Sequence, residues 1–241
     1  MLLLLFIPYK SAVPSRGCFI KMVETKVCER FTKLRTPFTC IVAGATGSGK
    51  TEFVLRLLKH RDAVLHPPPG RVIYSYERYQ PKFDGISGVE FVKGSDYALR
   101  RGDNTLLIID DQMGGKASDL EKLFTVDSHH LGVSVIFITQ NLFEQSKAYR
   151  TVALNAQYLF LFKSPRAAQQ VTILARQLYP SGKSVRAFAD AYTHATRNPF
   201  SYLLVDLKPD TPERLRVRAN VLPDEGLPFA GDARLSHCYA V

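Results

Sequence analysis

The chain has 241 residues, 46% of them hydrophobic and 22% charged, and carries a formal net charge of +10. This balance excludes an intrinsically disordered chain and fits a globular protein of one large or two small domains. The positive excess suits either a polyanionic partner, met through sequence-independent phosphate contacts, or a solvated basic surface.

The chain opens on "MLLLLFIP", in which only Leu2 to Ile7 are continuously apolar before Pro8. It has neither the basic start nor the small-residue cleavage site of a signal peptide, and a bilayer span needs roughly 20 apolar residues. The expectation is a protein that is not secreted and has no stable membrane insertion. Residues 1–40 hold seven basic and two acidic side chains, so residues 1–35 read as a basic N-terminal extension. Cys18, Cys28, Cys40 and Cys238 lack metal-site spacing and read as free thiols of a reducing compartment.

From Thr36 short apolar runs alternate with amphipathic segments, the pattern of a mostly parallel sheet covered by helices. "FTCIVAG" reads as the first strand and "KTEFVLRLLKHR" as a helix with Phe53, Val54, Leu57 and Leu58 on one face. Between them lies "GATGSGKT", Gly44 to Thr51, a full match to G-x-x-x-x-G-K-[ST]. In such a loop Gly44, Ala45, Thr46, Gly47, Ser48 and Gly49 offer backbone N–H groups to phosphates. Lys50 reaches the β- and γ-phosphates and the Thr51 hydroxyl is a Mg²⁺ ligand.

"HPPPG" breaks the chain, "RVIYSY" forms a second strand, and Val89 to Val92 a short further one. "TLLIID" is the next principal strand and delivers Asp110 to its end, where a nucleotide-bound Mg²⁺ needs a carboxylate. Asp111 follows and can orient the attacking water, or cap a turn. "DLEKLFTVDSHH" reads as a short helix whose His129 and His130 lack the partners of a metal site.

"VSVIFIT" is another buried strand, and it stops on Gln140 and Asn141. With the phosphate loop and Asp110 at neighbouring strand ends, Gln140 is placed to hydrogen-bond the water and the γ-phosphate. Asn141 reads as a helix cap or a site residue. Helix-like "LFEQSKAYRTVALNA", strand "YLFLF", helices "SPRAAQQVTILARQLY" and "KSVRAFADAYTHAT", and strand "YLLVDL" complete a domain spanning 36–210, followed by a tail at 211–241. Arg150, Arg166, Arg176 and Arg197 follow the glutamine strand, and any could serve as an arginine finger or be a solvated surface charge.

The segments "GATGSGKT", "LLIIDDQM", "LFTVDSHH", "VIFITQNLF", "RTVALNAQYLFLFKSPRAAQQVTILARQLYP" and "NPFSYLLVDLKPDTPERLRVR" together resemble the genome-packaging ATPases of the FtsK/HerA superfamily. The branch is that of Polinton/Maverick elements and adintovirus-like viruses, and the resemblance runs from about Thr36 to Arg218. It departs at Leu131 and Gly132, where the family pattern has Arg-Asn. The resemblance implies an α/β fold: a P-loop NTPase of the RecA-like, ASCE type with a mostly parallel central sheet flanked by helices. It implies a ring, hexameric in the family, that uses ATP and Mg²⁺ to pump double-stranded DNA into a capsid at a portal vertex. The work would be done in a host nucleus or a cytoplasmic assembly site. Gln140 maps onto the sensor glutamine, and Arg150, then Arg166, onto the arginine acting across the subunit boundary. Two other readings remain: a small-molecule or nucleoside kinase, and a non-enzymatic DNA-binding virion protein with a relic loop. A GTPase would need an N-K-x-D segment, which the chain lacks.

Overall fold

The computed structural model describes residues 22–23, 32–110, 117–142, 146–166, 168–225, 237–239 and 241. In chain order the strands and helices are β1 (Met22–Val23), β2 (Leu34–Arg35), β3 (Thr39–Ala43), α1 (Lys50–Lys59), α2 (Arg61–Val64), β4 (Leu65–His66), β5 (Arg71–Tyr76), β6 (Glu90–Lys93) and β7 (Thr105–Asp110). Then come α3 (Ala117–Lys122), a π-helical turn at Leu123–Asp127, α4 (Ser128–His130), β8 (Ser134–Thr139), α5 (Lys147–Leu154), β9 (Tyr158–Phe162), α6 (Ala168–Leu178) and α7 (Gly182–Ala195). β10 (Tyr202–Asp206), β11 (Val217–Ala219) and β12 (His237–Tyr239) close the chain.

The strands β3, β7, β8, β9 and β10 are buried at every residue, which is why they read as unbroken apolar runs. Alternation along each strand divides the core in two. Ile41, Ala43, Leu107, Ile109, Val135, Phe137, Leu159 and Leu161 pack with residues of α3, α5, α6 and α7. Cys40, Val42, Tyr74, Leu106, Ile108, Ile136, Ile138, Phe160 and Phe162 pack on the other face with Phe53, Val54, Leu57 and Leu58 of α1. Phe53 is the anchor of that helix, with ring centroids 4.7 Å from Phe160, 5.5 Å from Phe162 and 4.5 Å from Tyr202. Truncating such a side chain to alanine typically costs about 3–5 kcal/mol, so the start of α1 is held firmly against the sheet.

The expected fold class is corrected by the sheet. The described residues form a ten-stranded sheet in the order β1-β12-β11-β10-β9-β3-β8-β7-β5-β6. The half from β9 to β6 is parallel, but the pairings β9–β10, β10–β11, β11–β12 and β12–β1 are antiparallel. The architecture is therefore α/β with a large mixed sheet, mostly parallel but with an antiparallel end, and not the RecA-like P-loop NTPase sheet expected. The reason is the number of helices after β9. A single crossover helix would return the chain to the start of a parallel strand, whereas α6 and α7 run out and back. β10 thus begins beside the end of β9, with Tyr202 opposite Phe162 and Asp206 opposite Tyr158.

At the far end of β10 the buried Asp206 carboxylate meets Arg218 of β11 at 3.1 Å, and the guanidinium also donates to the Thr32 carbonyl at 3.4 Å. Burial pushes the Asp206 carboxyl above its ordinary value, and the Arg218 charge acts against that rise. Among the described residues no helix is long and apolar enough to cross a membrane.

Candidate functional site

The loop from Gly44 to Gly49 leaves β3 at its carboxyl end and runs into α1 at Lys50. Two glycines are there by necessity. A Cβ on Gly44 would lie 2.5 Å from the Phe162 Cβ and 2.9 Å from the Ser48 hydroxyl. Gly49, the N-cap of α1, has φ 95°, and a Cβ there would lie 2.9 Å from the Phe200 ring. The loop is closed by Ser48 N–H donating to Ala45 O at 3.1 Å, and Gly44 N–H donates to Thr139 O at 3.3 Å. The latter bond ties the loop to the end of the glutamine strand. The Ser48 hydroxyl oxygen is buried without a hydrogen-bond partner.

Lys50 is 9% exposed, and its ammonium donates to the Gly44 and Ala45 carbonyls at 2.7 and 2.9 Å. The cation is thus held under the loop by the loop's own backbone. Beside it, the Thr51 hydroxyl donates to Asp110 Oδ2 at 3.4 Å. The same carboxylate oxygen accepts a 2.6 Å bond from the buried Tyr74 hydroxyl. Burial first, and then the Asp110 charge, raises the Tyr74 phenol well above its ordinary value, so it stays a donor. At the third strand end the Thr46 hydroxyl donates to Gln140 Oε1 at 3.0 Å.

These groups face one cleft of about 550 Å³, lined by Thr46, Gly47, Lys50, Thr51, Asp110 and Gln140 and, across from them, by Tyr76, Glu77, Arg78 and Gln80. β3, β8 and β7 are adjacent and parallel, so their carboxyl ends share one edge of the sheet. The hydroxyl and carboxylate of Thr51 and Asp110 are hard oxygen donors of the kind Mg²⁺ prefers, and they lie next to a buried cation suited to phosphate. The geometry can therefore hold a phosphate chain with a divalent ion.

No family model matches the chain, and no curated protein does.

Of the residues expected to act, the structure brings together Thr46, Gly47, Lys50, Thr51, Asp110 and Gln140 around the cleft. Asp111 lies outside the described residues. Arg150 on α5 and Arg166 before α6 are exposed and are not among the residues lining the cleft. Among the described residues Asn141 caps no helix. Ser146 does so for α5, accepting from Tyr149 N–H at 3.3 Å, and the Asn141 side-chain oxygen accepts from Gln170 of α6 at 2.6 Å. Sequence reasoning missed Tyr74 and the segment from Tyr76 to Gln80. The signal was present: the carboxyl-end rule that singled out Gln140 applies equally to the polar residues that follow "RVIYSY".

Proposed function

We propose that this chain hydrolyses ATP in the strand-end cleft and uses the energy to move double-stranded DNA, packaging the genome of a virus or virus-like element. The observation that carries the reading is the convergence of a buried lysine, the Thr51–Asp110 oxygen pair and the Thr46–Gln140 pair on one cleft. Three chemically distinct functions needed for phosphoryl transfer then come from three neighbouring strand ends.

In this reading the loop N–H groups from Ala45 to Gly49 bind the phosphates, and Lys50 exchanges its two loop carbonyls for β- and γ-phosphate oxygens. Thr51 and Asp110 would hold Mg²⁺, which when bound draws charge from the transferring phosphoryl group. Asp111 orients the attacking water. Gln140 contacts the terminal phosphate, and its neighbour Asn141 carries the change to Gln170 and α6. Arg150, or next Arg166, is supplied by the adjacent subunit of a homo-oligomeric ring, hexameric in the family resembled. The net charge of +10 supports phosphate contacts with a duplex, which several subunits around one DNA would add together. The capsid or its portal vertex is the partner that the resemblance supports.

The experiment is phosphate release from ATP by the purified full chain, with and without double-stranded DNA and with a panel of nucleosides as acceptors. The reading expects DNA to stimulate release. A rate indifferent to DNA, with phosphate appearing on a nucleoside, would establish a kinase instead. For the arginines, mixing Arg150→Ala subunits with Lys50→Ala subunits should restore part of the activity. If mixing restores nothing, the assignment of Arg150 fails.

A further inference from the structure

Phe200 is an anomaly that packing does not explain. It is 67% exposed and has φ 63°, a left-handed conformation that is a genuine outlier for a bulky side chain. A core aromatic would be buried, and a mere turn residue at this position would be glycine or asparagine. The ring instead lies against the phosphate loop: its edge is 2.9 Å, and its Cβ 3.1 Å, from where a Cβ on Gly49 would stand. The turn that presents it is tied by Ser201 Oγ donating to Asn198 O at 2.7 Å.

Its position in the sheet gives the anomaly a meaning. In the ATPase reading the terminal phosphate meets Asp110 and Gln140, which stand at the carboxyl ends of the neighbouring strands β7 and β8. With the phosphates run along the loop N–H groups to Gly49 and the start of α1, the base leaves the cleft beside Phe200, which does not itself line the cleft. Phe200 stands two residues before β10, beside the start of α1. It can do so because β10 is antiparallel and so begins at the sheet edge where β9 ends.

We infer that Phe200 is the stacking platform for the purine base of the bound nucleoside triphosphate. This deepens the ATPase reading and rests on it. Strained backbone is commonly retained where it presents a side chain to a ligand, and a flat exposed ring beside a phosphate loop offers the base a π-face without demanding a particular base edge.

The test compares Mg·ATP with inorganic tripolyphosphate, which shares the phosphate chain but lacks base and ribose, by calorimetric titration of the full chain. Phe200→Gly removes the ring and relaxes the left-handed backbone, so folding is not placed at risk; Phe200→Trp restores a larger ring. Stacking on an aromatic side chain predicts that Phe200→Gly weakens ATP binding by roughly tenfold or more, leaves tripolyphosphate binding unchanged, and that Phe200→Trp recovers the loss. Unchanged ATP affinity in Phe200→Gly overturns the inference, as does an equal loss for both ligands, which would make Phe200 a prop for the loop. Wild-type protein that binds neither ligand would overturn the nucleotide reading itself, and the platform with it.

Discussion

Replacing Tyr74 by phenylalanine removes one oxygen and leaves the packing of the ring on Phe83 and Phe91, at 5.1 and 5.4 Å, in place. What is lost is a 2.6 Å bond from a fully buried hydroxyl to Asp110 Oδ2. Charge-assisted O–H···O⁻ bonds of this length are among the stronger ones, contributing about 1.5–3 kcal/mol. The Thr51 hydroxyl reaches the same oxygen only at 3.4 Å, so the 2.6 Å Tyr74 bond is the stronger of these two contacts. Groups that orient a metal ligand typically account for about 10–100-fold in metal affinity. Tyr74→Phe should therefore raise the Mg²⁺ concentration for half-maximal ATP turnover about tenfold, leave the rate at saturating Mg²⁺ nearly unchanged, and lower the melting temperature by several degrees. A Mg²⁺ titration of steady-state hydrolysis and a thermal melt measure both. If the melting temperature falls but the Mg²⁺ requirement does not move, Tyr74 only supports the fold, and the assignment of Asp110 to the metal loses its supporting geometry.

Gly49→Ala should cost at least about 1 kcal/mol of stability, because φ 95° strains any residue with a Cβ and that Cβ would press on Phe200; a melt equal to wild type would contradict the loop geometry. Arg218→Leu leaves the Asp206 carboxylate buried without its ion-pair partner and should destabilise the protein by about 3–5 kcal/mol in denaturant titration. Removing both charges together, as Asp206→Leu/Arg218→Leu, should recover much of that loss, and failure to recover would mean the two do not act as a pair. Asp111→Asn should bind ATP with near-normal affinity yet stall in hydrolysis; normal turnover would remove Asp111 from the mechanism.

Much of this was legible because the central strands are buried on both faces. "RVIYSY", "TLLIID" and "YLFLF" have the bounds that their apolar runs announce, and the glycine-rich loop falls between strand and helix as its spacing requires. The antiparallel end was not legible. Its strands β1, β11 and β12 are two or three residues long, too short for a periodic pattern to mark them, and β1 pairs with β12 from the opposite end of the chain. One clue existed in the two successive helical segments between "YLFLF" and "YLLVDL", which reverse the following strand. The sequence puts the start of α5 at Leu142, after Asn141, whereas the helix begins at Lys147 with Ser146 as its cap. Tyr74 escaped notice because a tyrosine inside a strand reads as core, and only the cross-strand position reveals its hydroxyl to be aimed at Asp110.

Steady-state ATP hydrolysis by the wild-type chain beside Lys50→Ala, with melts to confirm that both are folded, decides whether the cleft around Lys50 is where a nucleoside triphosphate is bound and cleaved. The expected result is Mg²⁺-dependent turnover by the wild type and none by Lys50→Ala. Equal turnover by the two folded proteins, or none by either, would contradict it.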